Sequence, residues 1–210
     1  MALREYQNVK VEREDGITWV ILNRPEKRNA MNPALNEEMV EVLTELEGDE
    51  ATQVLVLTGA GDAFSAGMDL REYFRALDNA PLGARLRARW ASATWQYHKL
   101  RFFPKPTIAM VNGWCFGGAF TPLTSCDFAI AAEDAIFGLS EINWGILPGG
   151  FVSRDVAAVM RYRDALFYIM TGRTFTGKEA AAMGLVNYAV PRERLRDEVV
   201  ALAKELMQKN

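Results

Sequence analysis

Three glycine-punctuated segments constrain the fold of this chain more than any other feature of its sequence. The segments are FSAGMDL (Phe64 to Leu70), NGWCFGGAF (Asn112 to Phe120) and FGLSEINWGILPGG (Phe137 to Gly150). The first two follow the apolar runs Val54 to Leu57 and Thr107 to Val111, which predicts a turn where a strand ends and a helix begins. Backbone N–H groups are unpaired at such turns, so two turns that converge could stabilise a developing negative charge.

The N-terminal part of the sequence predicts a hairpin followed by a helix. Asp15-Gly16 separates Lys10 to Glu14 from Thr18 to Leu22, the pattern of a two-residue β-turn between strands. Asn32-Pro33 is typical of a helix N-cap and first helical position. An apolar stripe at helical spacing follows, formed by Leu35, Met39, Val42, Leu43 and Leu46.

Strands and helices alternate in the rest of the chain, which favours βαβ crossovers and an α/β fold. Further strands are predicted at Val54 to Thr58, Thr107 to Val111, Phe128 to Ala131 and Val186 to Val190. A long helix is predicted over Arg85 to Phe103, and a final helix begins at Arg192. The long helix is dense in aromatic residues, so we expect it to pack in the core or between subunits rather than stack on a ligand.

Composition excludes several classes of function. The chain has 210 residues, 50% of them hydrophobic, with a formal charge of −3 and a pI near 5.4. Nucleic-acid and anionic-membrane surfaces need clustered excess Lys and Arg, so neither partner is expected. No apolar run approaches the length of about 20 residues that spans a bilayer, and MALREYQN lacks the apolar core of a signal peptide. We therefore expect a soluble cytoplasmic protein.

Several catalytic motifs are absent from the sequence. One histidine and two cysteines cannot supply a usual zinc or iron site, so no metal is expected. The chain has no G-x-S-x-G elbow and no phosphate-binding P-loop, and Phe64 replaces the third glycine of a dinucleotide-binding G-x-G-x-x-G. The remaining interpretation is proton transfer beside a site that binds an oxyanion.

Glu141 is the candidate for that proton transfer, because it is a lone carboxylate in an apolar stretch. Burial disfavours a charged carboxylate and raises its pKa towards the range of a general acid or base. From spacing alone, Glu141 could equally cap the following turn or pair with an arginine. Gly117-Gly118 could likewise serve close helix packing instead of an oxyanion site.

Taken together, the three segments resemble the crotonase, or enoyl-CoA hydratase/isomerase, superfamily across essentially the whole chain. LNRPEKRNAMN (Leu22 to Asn32) is similar to the family's loop around coenzyme A, and Ser65 to Leu70 to its adenine and thioester loop. The resemblance implies that the backbone N–H groups of Met68 and Gly118 form an oxyanion hole. It also implies that coenzyme A enters as part of an acyl-CoA substrate, so no separate cofactor is expected. The implied substrate-binding residues around these turns are Lys27, Arg28, Ala30, Ala66, Gly67, Asp69, Leu70, Arg71, Ala119 and Phe120.

Family hydratases carry two catalytic glutamates, and only one has a counterpart here. Glu141 matches the second, whereas Thr121 stands at the position of the first and keeps a hydroxyl that could hold water. This pattern is most similar to family members that hydrate a 4-hydroxycinnamoyl-CoA and then cleave it to an aromatic aldehyde and acetyl-CoA. By that resemblance Tyr73 donates a hydrogen bond to the phenolic group of the substrate. Ser140, Trp144 and Gly149 would line the acyl pocket or the pantetheine channel.

Two other functions stay open at this point: a general enoyl-CoA hydratase or isomerase, and a non-catalytic CoA-binding assembly protein. The resemblance implies a crotonase-like ββα spiral over residues 1–190, with residues 191–210 beginning a C-terminal helical region. We expect most of that helical region to be missing from this sequence. Relatives imply a homotrimer or hexamer.

Overall fold

Two β-sheets form the centre of the fold in a computed structural model that describes residues 4–209. The strands in chain order are β1 (Val9–Glu14), β2 (Ile17–Leu22), β3 (Val54–Gly59), β4 (Ala63–Ser65), β5 (Thr107–Val111), β6 (Trp114–Phe116), β7 (Phe128–Ala132), β8 (Ile136–Gly138), β9 (Thr174–Thr176) and β10 (Tyr188–Val190). The larger sheet has the order β1-β2-β3-β5-β7-β10 and the smaller β4-β6-β8-β9. Only the β1–β2 and β8–β9 pairs are antiparallel among the described strands.

Helices connect these strands and cover the larger sheet. They are α1 (Pro33–Glu47), α2 (Ala76–Asp78), α3 (Leu82–Ala93), α4 (Phe120–Ser125), α5 (Val152–Val159), α6 (Tyr162–Thr171), α7 (Gly177–Met183) and α8 (Leu195–Met207). Short 3-10 turns occur at Pro25–Lys27, Gly117–Ala119, Ser140–Trp144 and Arg192–Arg194. Two π-helical turns, Leu70–Arg75 and Thr94–Lys99, adjoin α2 and α3. No helix within residues 4–209 is long and apolar enough to span a membrane.

The predicted N-terminal hairpin and first helix are confirmed. Asp15 and Gly16 both have positive φ, 48° and 84°, as the two central residues of a type I′ turn require. The Asn32 side chain accepts a hydrogen bond from the Leu35 N–H at 2.9 Å, and Pro33 is the first residue of α1. The apolar stripe of α1 is buried in the core beside β3, whose residues are all buried.

The smaller sheet is a feature that the sequence patterns do not predict. Each of the first two glycine turns lies where a strand ends and a helical turn begins, as the sequence predicts, but the strand that ends there is not β3 or β5. The three-residue strands β4 and β6 intervene, and the turns follow those strands instead. Because β4 and β6 pair in parallel, their ends meet at one edge, and both glycine turns leave the sheet side by side.

The aromatic helix differs in part from its prediction. It begins at Leu82, and its regular α-helix ends at Ala93 where the π-helical turn begins. Trp95 is fully buried, as packing predicts, but Trp90 and Phe102 are exposed. The last strand is also shorter than predicted, since it begins at Tyr188 rather than Val186.

Helix α8 packs on the same core as the larger sheet. Leu195, Val199 and Ala203 are buried with the residues of β5 and β7. The division into residues 1–190 and 191–210 stays a prediction.

Candidate active site

A cavity of about 610 Å³ opens where the glycine turns leave the smaller sheet. Ten of the residues predicted for the site line it: Ala66, Met68, Leu70, Tyr73, Gly118, Thr121, Ser140, Glu141, Trp144 and Gly149. The fold thus brings the three glycine-punctuated segments to one place, although they are far apart in sequence. No cluster of metal-ligating side chains occurs in the part of the chain that the structure describes.

The first two glycine turns touch because each places a glycine at the contact. A Cβ on Gly67 would lie 2.5 Å from the Phe116 carbonyl oxygen and 2.9 Å from the Gly118 nitrogen. A Cβ on Gly118 would lie 3.4 Å from the Met68 nitrogen. Side chains at these two positions would separate the turns, so the glycines set the distance between the Met68 and Gly118 nitrogens.

The Met68 N–H lies outside the hydrogen bonds that hold its turn. In the bridge to Met31, the Met31 N–H donates to Gly67 O at 2.8 Å and the Asp69 N–H donates to Met31 O at 3.1 Å. This parallel pairing uses the groups on either side of Met68 and turns the Met68 N–H away from Met31. Gly118 is the second residue of its 3-10 turn, where N–H groups have no acceptor within the helix. Both donors are therefore suited to bind an oxyanion.

Glu141 lies against the second glycine turn, in the 3-10 turn Ser140–Trp144. Its Oε1 would lie 3.3 Å from a Cβ on Gly117, so the carboxylate packs closely against this glycine, whose φ of 51° also disfavours a side chain. Burial raises the pKa of Glu141, and a hydrogen bond from its own backbone N–H opposes this shift weakly.

Glu141 Oε2 is buried and has no hydrogen-bond partner among the described residues. No arginine within residues 4–209 forms an ion pair with it. The pairing alternative is thus not supported, and a buried carboxylate with a free oxygen is suited to exchange protons with a bound molecule.

Thr121 lies on α4 at the wall of the cavity and is only 2% exposed. Its hydroxyl donates to Gly150 O at 2.8 Å. Because the single hydroxyl hydrogen is used, Thr121 can only accept a further hydrogen bond, for example from water.

The loop that accepts this hydrogen bond from Thr121 has two consecutive residues with positive φ. Gly150 and Phe151 have φ of 58° and 73°, and this left-handed conformation is costly for phenylalanine. The Phe151 ring stacks on Tyr97 at 4.2 Å, and the Arg154 guanidinium lies 4.9 Å from both rings. These contacts stabilise the strained backbone beside the cavity.

The remaining polar and aromatic predictions also line the cavity. Tyr73 lies in the π-helical turn Leu70–Arg75, with its ring edge-to-face on Phe74 at 5.3 Å. Trp144 follows Glu141 and is 70% exposed, so most of its ring is free to contact a bound molecule. Aromatic faces of this kind suit a planar acyl group.

Eight predicted residues do not line this cavity. Lys27 and Arg28 are exposed, and the Arg28 guanidinium stacks over Trp114 at 4.5 Å. Ala30 is half-buried in the segment Leu22 to Asn32, Arg71 is exposed, and Gly67 is buried where the two glycine turns touch. Their roles in binding stay predictions.

Asp69, Ala119 and Phe120 have structural contacts. The Asp69 carboxylate pairs with Arg24 at 3.0 Å and caps the following helical turn, and these interactions hold its pKa below the ordinary value although burial opposes them. Ala119 is fully buried, and Phe120 packs at 6.2 Å from Phe137 in an aromatic cluster. Contact between these side chains and substrate stays a prediction.

Sequence reasoning missed one wall of the cavity. Arg89, Ser92 and Gln96 line it from α3 and the π-helical turn Thr94–Lys99. Their spacing of three and four residues places them on one helical face. This spacing can be seen in the sequence, but the many aromatic residues of the segment favoured a packing interpretation instead. Gly117, which the sequence analysis places in the candidate oxyanion turn, also lines the cavity, and the other lining residues that it does not single out are Phe74, Arg75, Ile146, Leu147 and Gly150.

Two abutting glycine turns beside a buried carboxylate, on a largely parallel sheet, are the arrangement that the resemblance to crotonases implies. The enoyl-CoA hydratase/isomerase family model matches residues 12–210. Among solved structures, the enoyl-CoA hydratase from Bacillus anthracis superposes with a TM-score of 0.87 and 32% identity, covering 97% of this chain and 78% of that one. The chain therefore belongs to the enoyl-CoA hydratase/isomerase family and has the crotonase fold.

Individual relatives narrow this similarity further. A hydroxycinnamoyl-CoA hydratase-lyase from Pseudomonas fluorescens is 58% identical over 205 residues, which cover 98% of this chain and 74% of that protein. A probable enoyl-CoA hydratase from Mycobacterium bovis is 34% identical over 203 residues, covering 97% of this chain and 76% of that protein.

Proposed function

We propose that this chain is a lyase that hydrates a 4-hydroxycinnamoyl-CoA, such as feruloyl-CoA or p-coumaroyl-CoA, and then cleaves the product. The products are an aromatic aldehyde and acetyl-CoA. The observation that carries the proposal is Glu141, a half-buried residue beside two glycine turns whose enclosed Oε2 has no partner among the described residues. The position of the family's other catalytic glutamate is occupied by Thr121, which is not an acid. The 58% identity to a hydroxycinnamoyl-CoA hydratase-lyase supports the same activity.

Glu141 acts first as a base and then as an acid in the hydration step. The carboxylate takes a proton from water while the water oxygen bonds to C3 of the enoyl thioester. The C2–C3 double bond becomes an enolate, whose oxygen accepts hydrogen bonds from the N–H groups of Met68 and Gly118. Glu141 then returns the proton to C2, which gives the 3-hydroxyacyl thioester.

Cleavage reuses the same groups. Glu141 removes the proton of the 3-hydroxyl, the C3–O bond becomes a carbonyl, and the C2–C3 bond breaks. The electron pair passes to C2 as the enolate of acetyl-CoA, held again by the oxyanion hole. Glu141 gives the proton from the 3-hydroxyl to C2, which forms acetyl-CoA and leaves the carboxylate deprotonated, as it was at the start of the cycle. One oxyanion site can serve both steps because both pass through an enolate.

Neighbouring residues are proposed to position the substrate. The Thr121 hydroxyl accepts a hydrogen bond from the water, since its own hydrogen is bound to Gly150 O. Tyr73 donates to the phenolic oxygen, and Ser140, Trp144 and Gly149 line the acyl pocket. Coenzyme A is held by the turns and by the exposed Lys27 and Arg28, with no separate cofactor.

A general enoyl-CoA hydratase is the second candidate, favoured by the 34% identity to a probable enoyl-CoA hydratase. The two functions differ in one product, because only the lyase releases an aldehyde. Incubation with feruloyl-CoA should therefore yield vanillin and acetyl-CoA in equal amounts, measured by chromatography. Hydrated thioester without aldehyde would contradict the lyase and support the hydratase.

The assembly and location of the protein are part of the proposal. We propose a homotrimer or hexamer in the cytoplasm, and an acyl-CoA thioester as its ligand. Light scattering of the purified protein tests the assembly, and a monomer at micromolar concentration would contradict it.

A further inference from the structure

Gln96 lies deep in the wall of the cavity, on the helical face that also carries Arg89 and Ser92. The residue is 4% exposed, so it is the most enclosed of these three side chains. The steps of catalysis described above do not use it. A buried polar side chain on the wall of a largely apolar cavity needs a reason, because burial of an unpaired amide is costly.

Hydrogen bonds fix the orientation of the Gln96 amide. The Trp95 indole N–H, which can only donate, donates to Asn36 Oδ1 at 2.7 Å. The Asn36 atom is therefore its carbonyl oxygen, and it can only accept from Gln96 Nε2, which lies 3.2 Å away. Nε2 also donates to Ser92 Oγ at 2.9 Å and lies 3.5 Å from the Met68 sulfur. The amide nitrogen is thus turned towards the protein.

The Gln96 carbonyl oxygen, Oε1, remains available. It accepts no hydrogen bond from residues 4–209, yet it is not among the fully enclosed atoms that lack a partner. Gln96 lines the cavity and is only 4% exposed, so we infer that the little space open to this oxygen is the cavity. The wall therefore presents one oriented hydrogen-bond acceptor, which cannot rotate to offer its N–H without losing the bond to Asn36.

Gln96 and Glu141 approach the glycine turns through different residues. Gln96 contacts the Met68 side chain, whose Cγ would lie 3.0 Å from a Cβ on Gly118. Glu141 instead lies against Gly117, and no hydrogen bond joins the two side chains in the described chain. The acceptor is thus separate from the group that exchanges protons with C2 and C3.

We infer that Gln96 Oε1 accepts a hydrogen bond from a hydroxyl on the ring of the acyl group, which makes Gln96 a specificity-determining residue. The inference rests on the proposed aromatic substrate. A neutral amide oxygen binds a hydroxyl but has nothing to offer a methoxy group or a bare ring. An acyl group without the hydroxyl would leave this acceptor unpaired, and such sites discriminate strongly. The phenolic oxygen can still accept from Tyr73, because a hydroxyl both donates and accepts.

Binding of saturated thioesters tests the inference without turnover. 3-(4-Hydroxyphenyl)propanoyl-CoA and 3-phenylpropanoyl-CoA lack the double bond that is hydrated, so calorimetry gives their Kd values directly. Gln96→Met keeps the length of the side chain and removes the acceptor. We expect it to reduce the preference for the hydroxylated ligand by about tenfold, the loss of about one hydrogen bond. Arg87→Met, at an exposed position of α3 that does not line the cavity, is the control and should keep the preference.

Three results would overturn the inference. Equal losses for both ligands in Gln96→Met would place Gln96 in packing or in contact with water, and an unchanged preference would remove it from recognition. If the variant does not fold, the wild-type protein still provides a test with 3-(4-methoxyphenyl)propanoyl-CoA, which has no donor. We expect the methoxy ligand to bind at least about tenfold more weakly than 3-(4-hydroxyphenyl)propanoyl-CoA. Equal Kd values for the two ligands would contradict the inference. If instead the proposed lyase reaction is wrong, feruloyl-CoA should yield no aldehyde, while the protein still binds the hydroxylated ligand more tightly.

Discussion

The Glu141 carboxylate is partly buried and has one oxygen without a hydrogen-bond partner among the described residues. Both properties lower the stability of the folded protein, and both favour proton transfer. Burial raises the pKa of the carboxyl by disfavouring its charged form. The same burial leaves Oε2 without a partner among the described residues, so the carboxylate keeps an unfilled hydrogen-bonding position. A site of this kind sacrifices some stability for reactivity.

The rate should depend strongly on this carboxylate. Glu141→Gln keeps the shape of the side chain but cannot accept a proton. We expect turnover of feruloyl-CoA to fall by about two to four orders of magnitude, with the Kd of the saturated thioester nearly unchanged. Retention of more than about a tenth of the rate would remove the proton-transfer role from Glu141.

The pH dependence of stability should change in the same variant. Between the ordinary pKa of a glutamate and its raised value in the folded protein, the folded state keeps a proton that the unfolded state has lost. The contribution of Glu141 to the free energy of unfolding therefore falls as pH rises through this window. Because glutamine does not titrate, urea unfolding should show Glu141→Gln gaining stability over wild type as pH rises. A difference that shrinks with rising pH would show that the pKa is not raised.

Tyr73 should contribute to recognition of the ring hydroxyl. Tyr73→Phe removes one donor, which costs about 1 to 3 kcal/mol for a buried partner. We expect kcat/KM to fall for p-coumaroyl-CoA but not for hydration of cinnamoyl-CoA, which lacks the hydroxyl. Equal losses for both substrates would make Tyr73 a packing residue.

At the level of elements, the distance between the two glycine turns is set by contacts of their backbones. A Cβ on Gly67 would lie 2.5 Å from the Phe116 carbonyl oxygen, and its φ of 85° disfavours any side chain. Gly48 follows α1, does not line the cavity, and a Cβ there would have no neighbour within 4 Å. These two glycines form a matched pair for substitution.

Gly67→Ala should therefore separate the Met68 and Gly118 donors, whereas Gly48→Ala should not. Loss of one oxyanion donor typically lowers kcat by about two to three orders of magnitude. We expect a loss of that size for Gly67→Ala, measured with feruloyl-CoA, and less than about threefold for the control. Similar activity of both variants would mean that the spacing of the turns does not limit catalysis.

Elements with strong local signals could be predicted, and elements defined by distant partners could not. The turn at Asp15-Gly16 and the cap at Asn32 depend on the residues themselves, so the sequence predicts them correctly. Strands β4 and β6 are three residues long, too short for a periodic pattern, and exist because they pair with each other. Long-range pairing is what places both turns side by side.

The site was predictable where its chemistry is rare in the sequence. Glu141 and the glycine turns stand out as a lone carboxylate and repeated glycines, and the structure brings them into one cavity. Gln96 does not stand out, because a single amide among aromatic residues is common in packing helices. Its significance comes from the bonds of Trp95 and Asn36, which only the folded arrangement supplies.

On the scale of the whole molecule, one helix presents an apolar face that the described chain does not cover. Tyr162, Leu166 and Met170 follow one another at spacings of four residues on α6, and all three are exposed. Apolar stripes of this kind on a folded surface mark contacts with other protein surfaces. The face is consistent with the proposed homotrimer or hexamer.

Charges on this face should therefore weaken assembly. We expect Leu166→Lys combined with Met170→Lys to lower the mass measured by light scattering, because burial of an unpaired charge at an interface is costly. Far-UV circular dichroism should stay unchanged, since both positions are exposed. Thr171→Lys, at an exposed position of α6 outside the stripe, is the control for the added charge. An unchanged mass would exclude this face from the assembly.

In the two π-helical turns, the number of residues matters as much as the identity of their side chains. Leu70–Arg75 contains Tyr73, and Thr94–Lys99 contains Gln96. A π-helical turn holds one residue more than an α-helical turn, and each residue of an α-helix advances the helix by about 100°. A single-residue deletion within either turn would remove the extra residue and return the segment to α-helix. Such a deletion changes the direction of the side chains of the turn itself, while the helix on either side keeps its packing. One in-frame deletion could thus remove Tyr73 or Gln96 from the cavity wall and leave every proposed catalytic residue in place.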